Sequence, residues 1–373
     1  MARSGLRCFT CRAEFEHGLY PAGCPACGEA LEVVYEYGPG VVGPMLPVED
    51  ERFRVTLGEG NTPLIRLGDL YLKNETANPT WSFKDRFHAV SVSAARMLGY
   101  RKVVASTTGN HGVSTAAYAA AAGMKCVVFC HREAPLVQRR MIGMYGALPV
   151  VFEPRQAMLE TLVRDHHYWP STTMSPLPVA NAYGVEGYKT IAYEIWQQLG
   201  RVPDHMVCPI AAGDALYGPW KGFCELRQLG LTDRVPAMHG AQPAGCNPYV
   251  QSYQQRLDHV VVHPDPQSIA LSIRDATGGF PALQAIYDSG GRALDATEDE
   301  IVAAVRQLAA GGILVEPASA TAVACARKAG FPSGDTVVCL LTGSGAKWPE
   351  TLEAMYEGPL LENPTREELA PWL

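Results

Sequence analysis

Short apolar runs rich in β-branched residues alternate with helical stretches over most of this chain, and that alternation restricts its possible folds more than any other feature. Runs of this length and character are typical of strands buried on both faces of a sheet. The predicted strands cover residues 102–105, 126–129, 148–152, 205–208 and 336–341. The predicted helices cover residues 114–122, 136–145, 190–199 and 298–309. This order predicts an α/β fold with parallel-rich sheets covered by helices, in which ligands bind at the carboxyl ends of the strands.

The composition is typical of a soluble globular protein, and small-molecule chemistry fits it better than nucleic-acid or membrane binding. The chain has 373 residues, 47% hydrophobic and 18% charged, which is enough for a large core divided between two lobes. A net charge of -7 without long basic runs argues against a nucleic-acid or anionic-membrane surface. No signal-like apolar segment opens the chain, and no run approaches about 18 uninterrupted apolar residues. We therefore expect a cytoplasmic protein with no membrane and no nucleic-acid partner.

Four of the eleven cysteines form two CxxC pairs near the N-terminus, Cys8 with Cys11 and Cys24 with Cys27. Their separation is typical of a tetrahedral four-sulfur zinc site. Four thiolates leave no open coordination position, so a structural zinc is favoured, and a redox dithiol is the alternative. A segment of about 35 residues has too small a core to fold without the metal. We expect the seven other cysteines, which are scattered singly, to be reduced core thiols.

Lys84 lies in the run NPTWSFKDR at residues 78–86 and has the surroundings that a Schiff-base lysine needs. Such a lysine must lose its proton, and burial beside apolar side chains such as Trp81 and Phe83 lowers a lysine pKa. An upstream proline and Ser82 suggest a turn that opens into a helix, because a serine side chain can cap the first amides. The run predicts that Lys84 binds pyridoxal 5'-phosphate (PLP) covalently. The alternative is a solvated lysine near a helix start.

The segment ASTTGNHG at residues 105–112 follows a predicted strand and precedes a predicted helix. Its amides and hydroxyls can receive an anion at the helix N-terminus, and a substrate carboxylate fits there. Asn110 in the same turn could hydrogen-bond the 3'-oxygen of PLP. The alternative is a plain strand-to-helix turn in which glycine and asparagine serve only the backbone geometry.

Residues 211–215 follow the strand that ends at Cys208 and could wrap a phosphate with successive backbone N–H groups. Asp214 opposes a phosphate electrostatically unless its side chain faces away as a helix cap. Pro219 suits the first position of the following helix. A plain capped turn fits the same spacing equally well.

Two further residues lie at strand ends. Thr342 follows a long buried strand and offers a hydroxyl where the pyridine nitrogen of PLP could lie. A neutral partner of this kind, without a carboxylate, would leave the ring nitrogen largely unprotonated, and a simple glycine turn is the alternative. Glu316 lies at another strand-to-helix junction, where we interpret it as a structural cap rather than a catalytic group.

Nine segments follow one another in a fixed order along nearly the whole chain: the cysteine ribbon, LGEGNTPL, NPTWSFKDR, TTGNHG, EGYKT, WKGF, SGG, VEPASA and LTGSG. In this order they resemble the threonine synthase family of the fold type II PLP enzymes, whose fold is like that of tryptophan synthase β. The resemblance implies two three-layer αβα lobes with parallel-rich sheets, an N-terminal zinc ribbon, an amino-acid substrate and a homodimer. We predict a zinc-ribbon-like segment at residues 1–37, a linker at 38–50, a large PLP-binding domain at 51–94 and 186–348, a small α/β domain at 95–185, and a tail at 349–373.

The resemblance also implies roles for individual residues. Lys84 is the Schiff-base lysine, Asn110 contacts the 3'-oxygen and Thr342 faces the pyridine nitrogen. The implied phosphate-binding residues are Ala211, Ala212, Gly213, Asp214 and Ala215. The implied substrate-binding residues are Ser82, Ser106, Thr107, Thr108, Gly109 and His111.

The chain departs from the family where the substrate binds. The family's phosphate loop is of the Gly-Asn-x-Gly-Asn type, whereas residues 211–215 read AAGDA. Gly184 stands where the family has an arginine that helps to bind the phosphate of O-phosphohomoserine, and Pro178 and Val179 replace a usual Asn-Ser. Loss of a bidentate guanidinium removes about 1.5–3 kcal/mol of charge-assisted binding. We therefore expect a substrate other than O-phosphohomoserine.

Trp81 replaces a usual glycine and His111 a usual threonine, which predicts a smaller or more aromatic pocket and a loop closer to that of ammonia-lyases and dehydratases. We predict a PLP-dependent lyase or synthase in which an amino acid displaces Lys84. The freed lysine then removes the Cα proton before β- or γ-elimination or replacement. His111 either assists as acid or base or only positions other groups. The alternatives are a true threonine synthase with rearranged phosphate ligands, an amino-acid ammonia-lyase or dehydratase, and a PLP-binding protein without turnover.

Overall fold

The structure is a computed structural model. The part of the chain that it describes contains three separate sheets. The described residues are 3–38, 40–152, 154–174, 181–358 and 360–372, so Pro178 and Val179 lie outside them. In chain order the strands are β1 Arg3–Cys8, β2 Glu14–Phe15, β3 Leu31–Glu36, β4 Leu64–Leu67, β5 Leu70–Asn74, β6 Lys102–Thr107, β7 Lys125–Cys130, β8 Leu148–Val151, β9 Trp169–Pro170, β10 His205–Pro209, β11 Ala237–Pro243, β12 Ala293–Ala296 and β13 Val337–Leu341.

Helices connect most of these strands. In chain order they are α1 Lys84–Met97, α2 Asn110–Ala121, α3 Leu136–Met144, α4 Arg155–His166, α5 Ala182–Leu199, α6 Asp214–Gln228, α7 Pro248–Gln254, α8 Phe280–Asp288, α9 Glu298–Ala310, α10 Pro317–Lys328, α11 Pro349–Met355 and α12 Arg366–Leu369. All the strands and helices predicted from the sequence are present. The largest difference is at α5, which starts at Ala182 because the Asn181 side chain accepts hydrogen bonds from the amides of Tyr183 and Gly184.

The smallest sheet is N-terminal and antiparallel, with β1 between β2 and β3. It packs on α5 and α6 through buried polar contacts. The Tyr35 hydroxyl donates to Glu186 at 2.8 Å, and the Tyr217 hydroxyl donates to Glu32 at 2.9 Å. These hydrogen bonds connect β3 directly to two helices of the main body.

The largest sheet has six strands in the order β12-β11-β10-β13-β5-β4, all parallel to their neighbours except β4, which is antiparallel to β5. Strand β13, with the sequence VVCLL, is buried along its whole length because strands flank it and α10 covers it. The carboxyl ends of β10 and β13 lead into residues 211–215 and Thr342. The third sheet is entirely parallel, in the order β8-β7-β6-β9. The predicted parallel-rich α/β architecture is confirmed.

Two local predictions are wrong. Ser82 does not cap α1, because no side chain caps this helix and Ser82 Oγ has no hydrogen-bond partner within the described part of the chain. Pro219 lies inside α6 rather than at its start. Helix α6 begins at Asp214, directly after Gly213, and thus more than one turn before the proline. None of the described helices is long and apolar enough to cross a membrane.

Candidate active site

Lys84 is the first residue of α1, and its amine lies near two aromatic rings. Nζ is 4.4 Å from the ring centroid of Phe83 and 5.7 Å from that of Tyr188, and the two rings stack at 4.7 Å. Burial in this setting lowers the pKa of Lys84, against the opposing effect of the Asp214 carboxylate. The setting therefore favours the neutral amine, which can attack a carbonyl carbon or accept a proton.

A cavity of about 300 Å³ opens beside Lys84. It brings together most of the predicted site residues, from separate segments of the chain: Lys84, Ser106, Thr107, Thr108, Asn110, His111, Ala211, Ala212, Gly213, Asp214, Ala215 and Thr342. Ser82 and Gly109 are buried and are not among the described residues that line this cavity. Their predicted role in substrate binding stays a prediction.

Trp81 does not supply the aromatic wall that the sequence predicted. Its backbone is left-handed, with φ of 61°, and its side chain is 50% exposed. Within the described part of the chain it is not one of the residues that line the cavity. Phe83, Phe87 and Tyr188 form the aromatic wall instead.

Glu316 joins the two residues predicted to contact the PLP ring. Its Oε2 accepts a hydrogen bond from Asn110 Nδ2 at 2.7 Å, and its Oε1 accepts one from Thr342 Oγ1 at 3.2 Å. The hydroxyl of Ser319 lies 3.0 Å from the same Thr342 hydroxyl. Burial raises the pKa of Glu316, against the opposing charge of Lys347. Glu316 is the N-cap residue of α10, as the sequence predicts, and its backbone oxygen accepts from the Ala320 amide at 3.2 Å. Its side chain does not cap the helix, because the carboxylate binds the Asn110 and Thr342 donors instead.

Residues 211–215 form a tight turn into α6. Gly213 has φ of 111°, and a Cβ atom there would lie 2.5 Å from Cβ of Ala282, so the turn requires glycine. The Tyr249 hydroxyl donates to the Ala212 carbonyl at 2.8 Å and holds the turn in place. Asp214 begins α6 and lines the cavity without capping the helix. The amides at this helix start attract an anion, whereas the carboxylate beside them repels it.

His111 is a neutral imidazole with a fixed tautomer. Its Nε2 lies 2.6 Å from the backbone oxygen of Ser171, which can only accept, so Nε2 carries the proton and Nδ1 does not. Burial lowers the pKa of His111 to about 3, and the charge of Lys84 adds to the effect. His111 can therefore accept a hydrogen bond through Nδ1, whereas at neutral pH it is neither an acid nor an effective base.

Gly184 lies in the first turn of α5 and packs against the ring of Phe87. A Cβ atom at position 184 would lie 2.5 Å from Cε2 of Phe87, closer than real Cβ atoms approach. Phe87 itself lines the cavity. The space that a side chain at position 184 would need is therefore filled by Phe87.

Several residues of the cavity wall were missed from the sequence: Phe87, Arg155, Gln156, Thr172, Thr173, Tyr188, Ser272 and Asp275. Tyr188 lies in the EGYKT segment that carried part of the resemblance, so only its role was missed. Arg155 and Asp275 lie in segments without a motif, and neither spacing nor hydropathy gives a signal for them.

The four N-terminal cysteines form one cluster. Their sulfur atoms all lie within 4.8 Å of one another. The closest pairs are Cys8 with Cys27 at 3.4 Å and Cys11 with Cys24 at 3.6 Å. Zinc–sulfur bonds of about 2.3 Å in a tetrahedron place the sulfurs about 3.8 Å apart, so the cluster is compatible with a zinc ion.

The cavity also fits PLP. The Oδ1 atom of Asn110 is buried and has no hydrogen-bond partner among the described residues, so this amide retains hydrogen-bonding capacity for a ligand. A Cβ atom at Gly343 would lie 2.7 Å from Glu316 Oε1 and 2.9 Å from Asn110 Nδ2, so only glycine permits this arrangement beside Thr342. A desolvated lysine, an amide, a hydroxyl and a helix N-terminus thus surround one space, which suits a phosphorylated aromatic aldehyde.

Fold and site define a PLP-dependent enzyme of fold type II. Residues 55–343 match the family described as "Pyridoxal-phosphate dependent enzyme". The threonine synthase of Methanocaldococcus jannaschii is 34% identical to this chain over 95% of both proteins. The threonine synthase of Mycobacterium bovis is 38% identical over 84% of this chain and 90% of its own length. Within the PLP-dependent enzymes, this chain belongs to the threonine synthase family, whose members are lyase-type enzymes.

Solved structures agree on the fold. A PLP-dependent aspartate racemase superposes with a TM-score of 0.64 and 25% identity, over 74% of this chain and 84% of its own. The serine racemase of maize gives a TM-score of 0.65 and 19% identity, over 79% of this chain and 92% of its own. An O-ureido-L-serine synthase gives a TM-score of 0.66 and 20% identity, over 84% of this chain and 97% of its own. The last two identities are too low to support more than a common fold.

Proposed function

We propose that this chain uses PLP, held covalently by Lys84, to catalyse β- or γ-elimination or replacement on an amino acid other than O-phosphohomoserine. One observation carries the proposal: the desolvated amine of Lys84 shares a single cavity with the anion-receiving turn at the start of α2. When bound, PLP supplies an electron sink for the negative charge that develops at the substrate Cα.

The residues around the cavity would have separate roles in binding the cofactor, binding the substrate and transferring a proton. Asn110 and Thr342 would contact the cofactor ring, and residues 211–215 its phosphate. Residues 106–108 would orient the substrate carboxylate at the N-terminus of α2. After the substrate has displaced it, Lys84 Nζ would accept the Cα proton, and its lowered pKa favours the neutral amine that does so.

His111 would act as an acceptor in this scheme. Its Nε2–H is held by the Ser171 carbonyl, which leaves Nδ1 for a nucleophile or for the substrate. A neutral imidazole with a pKa of about 3 has no spare proton for a leaving group. His111 would thus position a substrate or nucleophile through a hydrogen bond to Nδ1 rather than transfer a proton.

The packing of Phe87 on Gly184 supports a substrate without the phosphate of O-phosphohomoserine. The family's arginine is absent at position 184, and the ring of Phe87 occupies the space in which its side chain would begin. Charge-assisted hydrogen bonds of a guanidinium to a phosphate are among the stronger polar contacts in proteins. A substrate without a phosphate group loses no binding energy at a site that lacks the guanidinium.

A true threonine synthase is the second candidate, and Arg155 favours it. This guanidinium lines the cavity from the start of α4 and could take over the phosphate contact. Two relatives named threonine synthase, at 34% and 38% identity, point the same way. The two candidates differ in one measurable reaction: a threonine synthase releases phosphate and forms threonine from O-phosphohomoserine.

The test is a screen of the PLP-loaded protein against amino acids and O-phosphohomoserine. A shift in the visible absorbance identifies amino acids that react, and mass spectrometry of the products separates elimination to a keto acid and ammonia from replacement. We expect a shift and a new product with at least one amino acid, and little phosphate release. Rapid threonine formation from O-phosphohomoserine would establish the second candidate instead. A protein that exchanges the α-proton of no amino acid would be a PLP-binding protein without turnover.

We also infer that Cys8, Cys11, Cys24 and Cys27 bind a structural zinc ion. The close approach of the four sulfurs and their CxxC spacing support this role. The homodimer implied by the family resemblance stays a prediction, for which sedimentation velocity of the PLP-loaded protein is the direct test.

A further inference from the structure

The hydroxyl of Tyr188 is buried without a hydrogen-bond partner in the described part of the chain. Its side chain is fully buried and lines the cavity beside Lys84. Other buried tyrosines are satisfied: the Tyr193 hydroxyl donates to Glu225 at 2.7 Å, and the Tyr249 hydroxyl donates to the Ala212 carbonyl at 2.8 Å. A buried hydroxyl without a partner is uncommon in a folded protein, and one on a cavity-lining residue is available to a ligand bound there.

The position of Tyr188 indicates which ligand group is near. A Cβ atom at Gly218 would lie 2.5 Å from Cβ of Tyr188, so α5 and α6 are closely packed at this point. The Tyr188 ring stacks on Phe83 and its centroid lies 5.7 Å from Lys84 Nζ. The side chain thus lies between the lysine and the first turns of α6, the helix that follows the turn at residues 211–215.

The hydroxyl is suited to donate to an anion. Burial raises its pKa well above the ordinary value, and the nearby Asp214 carboxylate adds to the effect, so the proton stays on the oxygen. The turn at residues 211–215 reads AAGDA and contains no side-chain donor. A phosphate at this turn would find backbone amides but no donor among the turn's own side chains, and a carboxylate beside it. An additional donor from α5 would offset that repulsion.

We propose that Tyr188 Oη donates a hydrogen bond to the phosphate of bound PLP, so that a side chain from α5 completes the phosphate site at the start of α6. This inference rests on the proposed function, because it takes the PLP site as given. It assigns to Tyr188 a role in cofactor binding and none in proton transfer.

The test compares two ligands that differ only in the phosphate, PLP and pyridoxal, on the full-length protein after removal of its cofactor. Dissociation constants for both are measured on the wild type, on Tyr188→Phe and on the control Tyr193→Phe. The control removes a hydroxyl from the same helix whose partner is Glu225. We expect Tyr188→Phe to weaken PLP binding about tenfold or more, as for loss of a charge-assisted hydrogen bond, and pyridoxal binding less than about twofold.

The melting temperature of the cofactor-free protein gives an independent readout. Tyr188→Phe removes an unpaired hydroxyl, so the melting temperature should stay unchanged or rise. Tyr193→Phe breaks a hydrogen bond, so the melting temperature should fall. Equal loss of PLP and pyridoxal affinity in Tyr188→Phe, or no loss of either, would overturn the inference. A wild-type protein that forms no covalent complex with PLP would instead overturn the proposed function, and the wild-type absorbance spectrum shows this before any variant is compared.

Discussion

Gly184 and Phe87 are packed so closely that a Cβ atom at position 184 would lie 2.5 Å from Cε2 of the Phe87 ring. The two residues belong to neighbouring helices, α5 and α1, and Phe87 is fully buried. The arginine that the family resemblance implies at position 184 would therefore need Phe87 to move, because its ring occupies the space.

Alanine substitution measures this close packing directly. Gly184→Ala should lower the free energy of unfolding by about 1–3 kcal/mol, because the new methyl group displaces Phe87 or shifts the helix. The matched control is Gly143→Ala in α3, where the nearest neighbour of an added Cβ, a side-chain carbon of Pro149, lies at 4.0 Å. That change should stabilise the protein by about 0.5–1 kcal/mol through helix propensity. Urea unfolding of the two variants checks the prediction, and equal effects would contradict it.

Removal of the Glu316 carboxylate should disturb both residues that it holds. Glu316→Ala leaves the donors of Asn110 and Thr342 without their buried acceptor, so we expect a loss of stability of about 2–5 kcal/mol. PLP affinity should fall as well, because neither side chain keeps its orientation. The exposed Glu350 provides the control, and Glu350→Ala should stay within about 0.5 kcal/mol of the wild type. Unchanged PLP affinity in Glu316→Ala would contradict the assigned position of the ring.

Stability should decrease as the pH falls below the ordinary histidine pKa of about 6.5. Burial lowers the pKa of His111 and of His239 to about 3 and that of His88 well below its usual value. Between the folded-state and unfolded-state pKa of each histidine, the unfolded state binds a proton that the folded state does not. Each histidine therefore lowers the free energy of unfolding by up to about 1.4 kcal/mol for each unit by which the pH falls. Carboxylates with lowered pKa such as Glu194 lose their contribution only below about pH 4.5.

Burial raises the pKa of Glu316, Asp85 and Asp275, and these carboxyl groups act in the opposite direction as the pH falls. A histidine's share is therefore obtained by comparing a histidine variant with the wild type by urea unfolding at pH 7, 6, 5.5 and 5. His239→Gln should show a smaller slope of stability against pH than the wild type, since it removes one of the titrating groups. The same slope in His239→Gln and in the wild type would contradict the buried, neutral state of His239.

Metal removal should loosen the N-terminal sheet and the helices on which it packs. The wild type should contain about one zinc ion per chain. Cys11→Ala should lose the ion, and the N-terminal sheet should then unfold more easily. The hydrogen bonds of Tyr35 and Glu32 to α5 and α6 are lost with the folded sheet, so the protein should melt at a lower temperature. Cys224→Ala, which lies outside the cluster, should retain the metal. Elemental analysis and thermal unfolding of both variants check this, and metal-free wild-type protein with unchanged melting would refute a structural zinc.

The sequence was informative where a local run carries its own pattern. Strands such as β6 and β13, and the turns that follow them, were located because apolar β-branched residues end at glycine or hydroxyl residues. Strand β11, with the sequence AMHGAQP, was missed because it contains no β-branched residue. It is a strand because β10 and β12 pair with it on both sides, and such pairing is a tertiary effect.

Side-chain direction was less predictable than position. The sequence predicts Glu316 as a cap after a strand, and it is the N-cap residue of α10, although no described strand precedes it directly. Its carboxylate is directed elsewhere, to Asn110, which lies 206 residues away in the chain. The role proposed for Tyr188 could not be predicted either, because only the folded structure shows that its hydroxyl has no hydrogen-bond partner among the described residues. The proximity of Trp81 to Lys84 predicts a place in the cavity, and its left-handed backbone directs the side chain elsewhere.

The most direct test of this account is to reduce the PLP-loaded protein with borohydride and to locate the labelled lysine by peptide mass spectrometry. Lys347 is the internal competitor, since it is buried, has a pKa lowered by burial to about 8 and lies near Glu316. We predict a label on the peptide that contains Lys84, and none in Lys84→Ala. A label on Lys347 or another lysine of the wild type would contradict the central assignment.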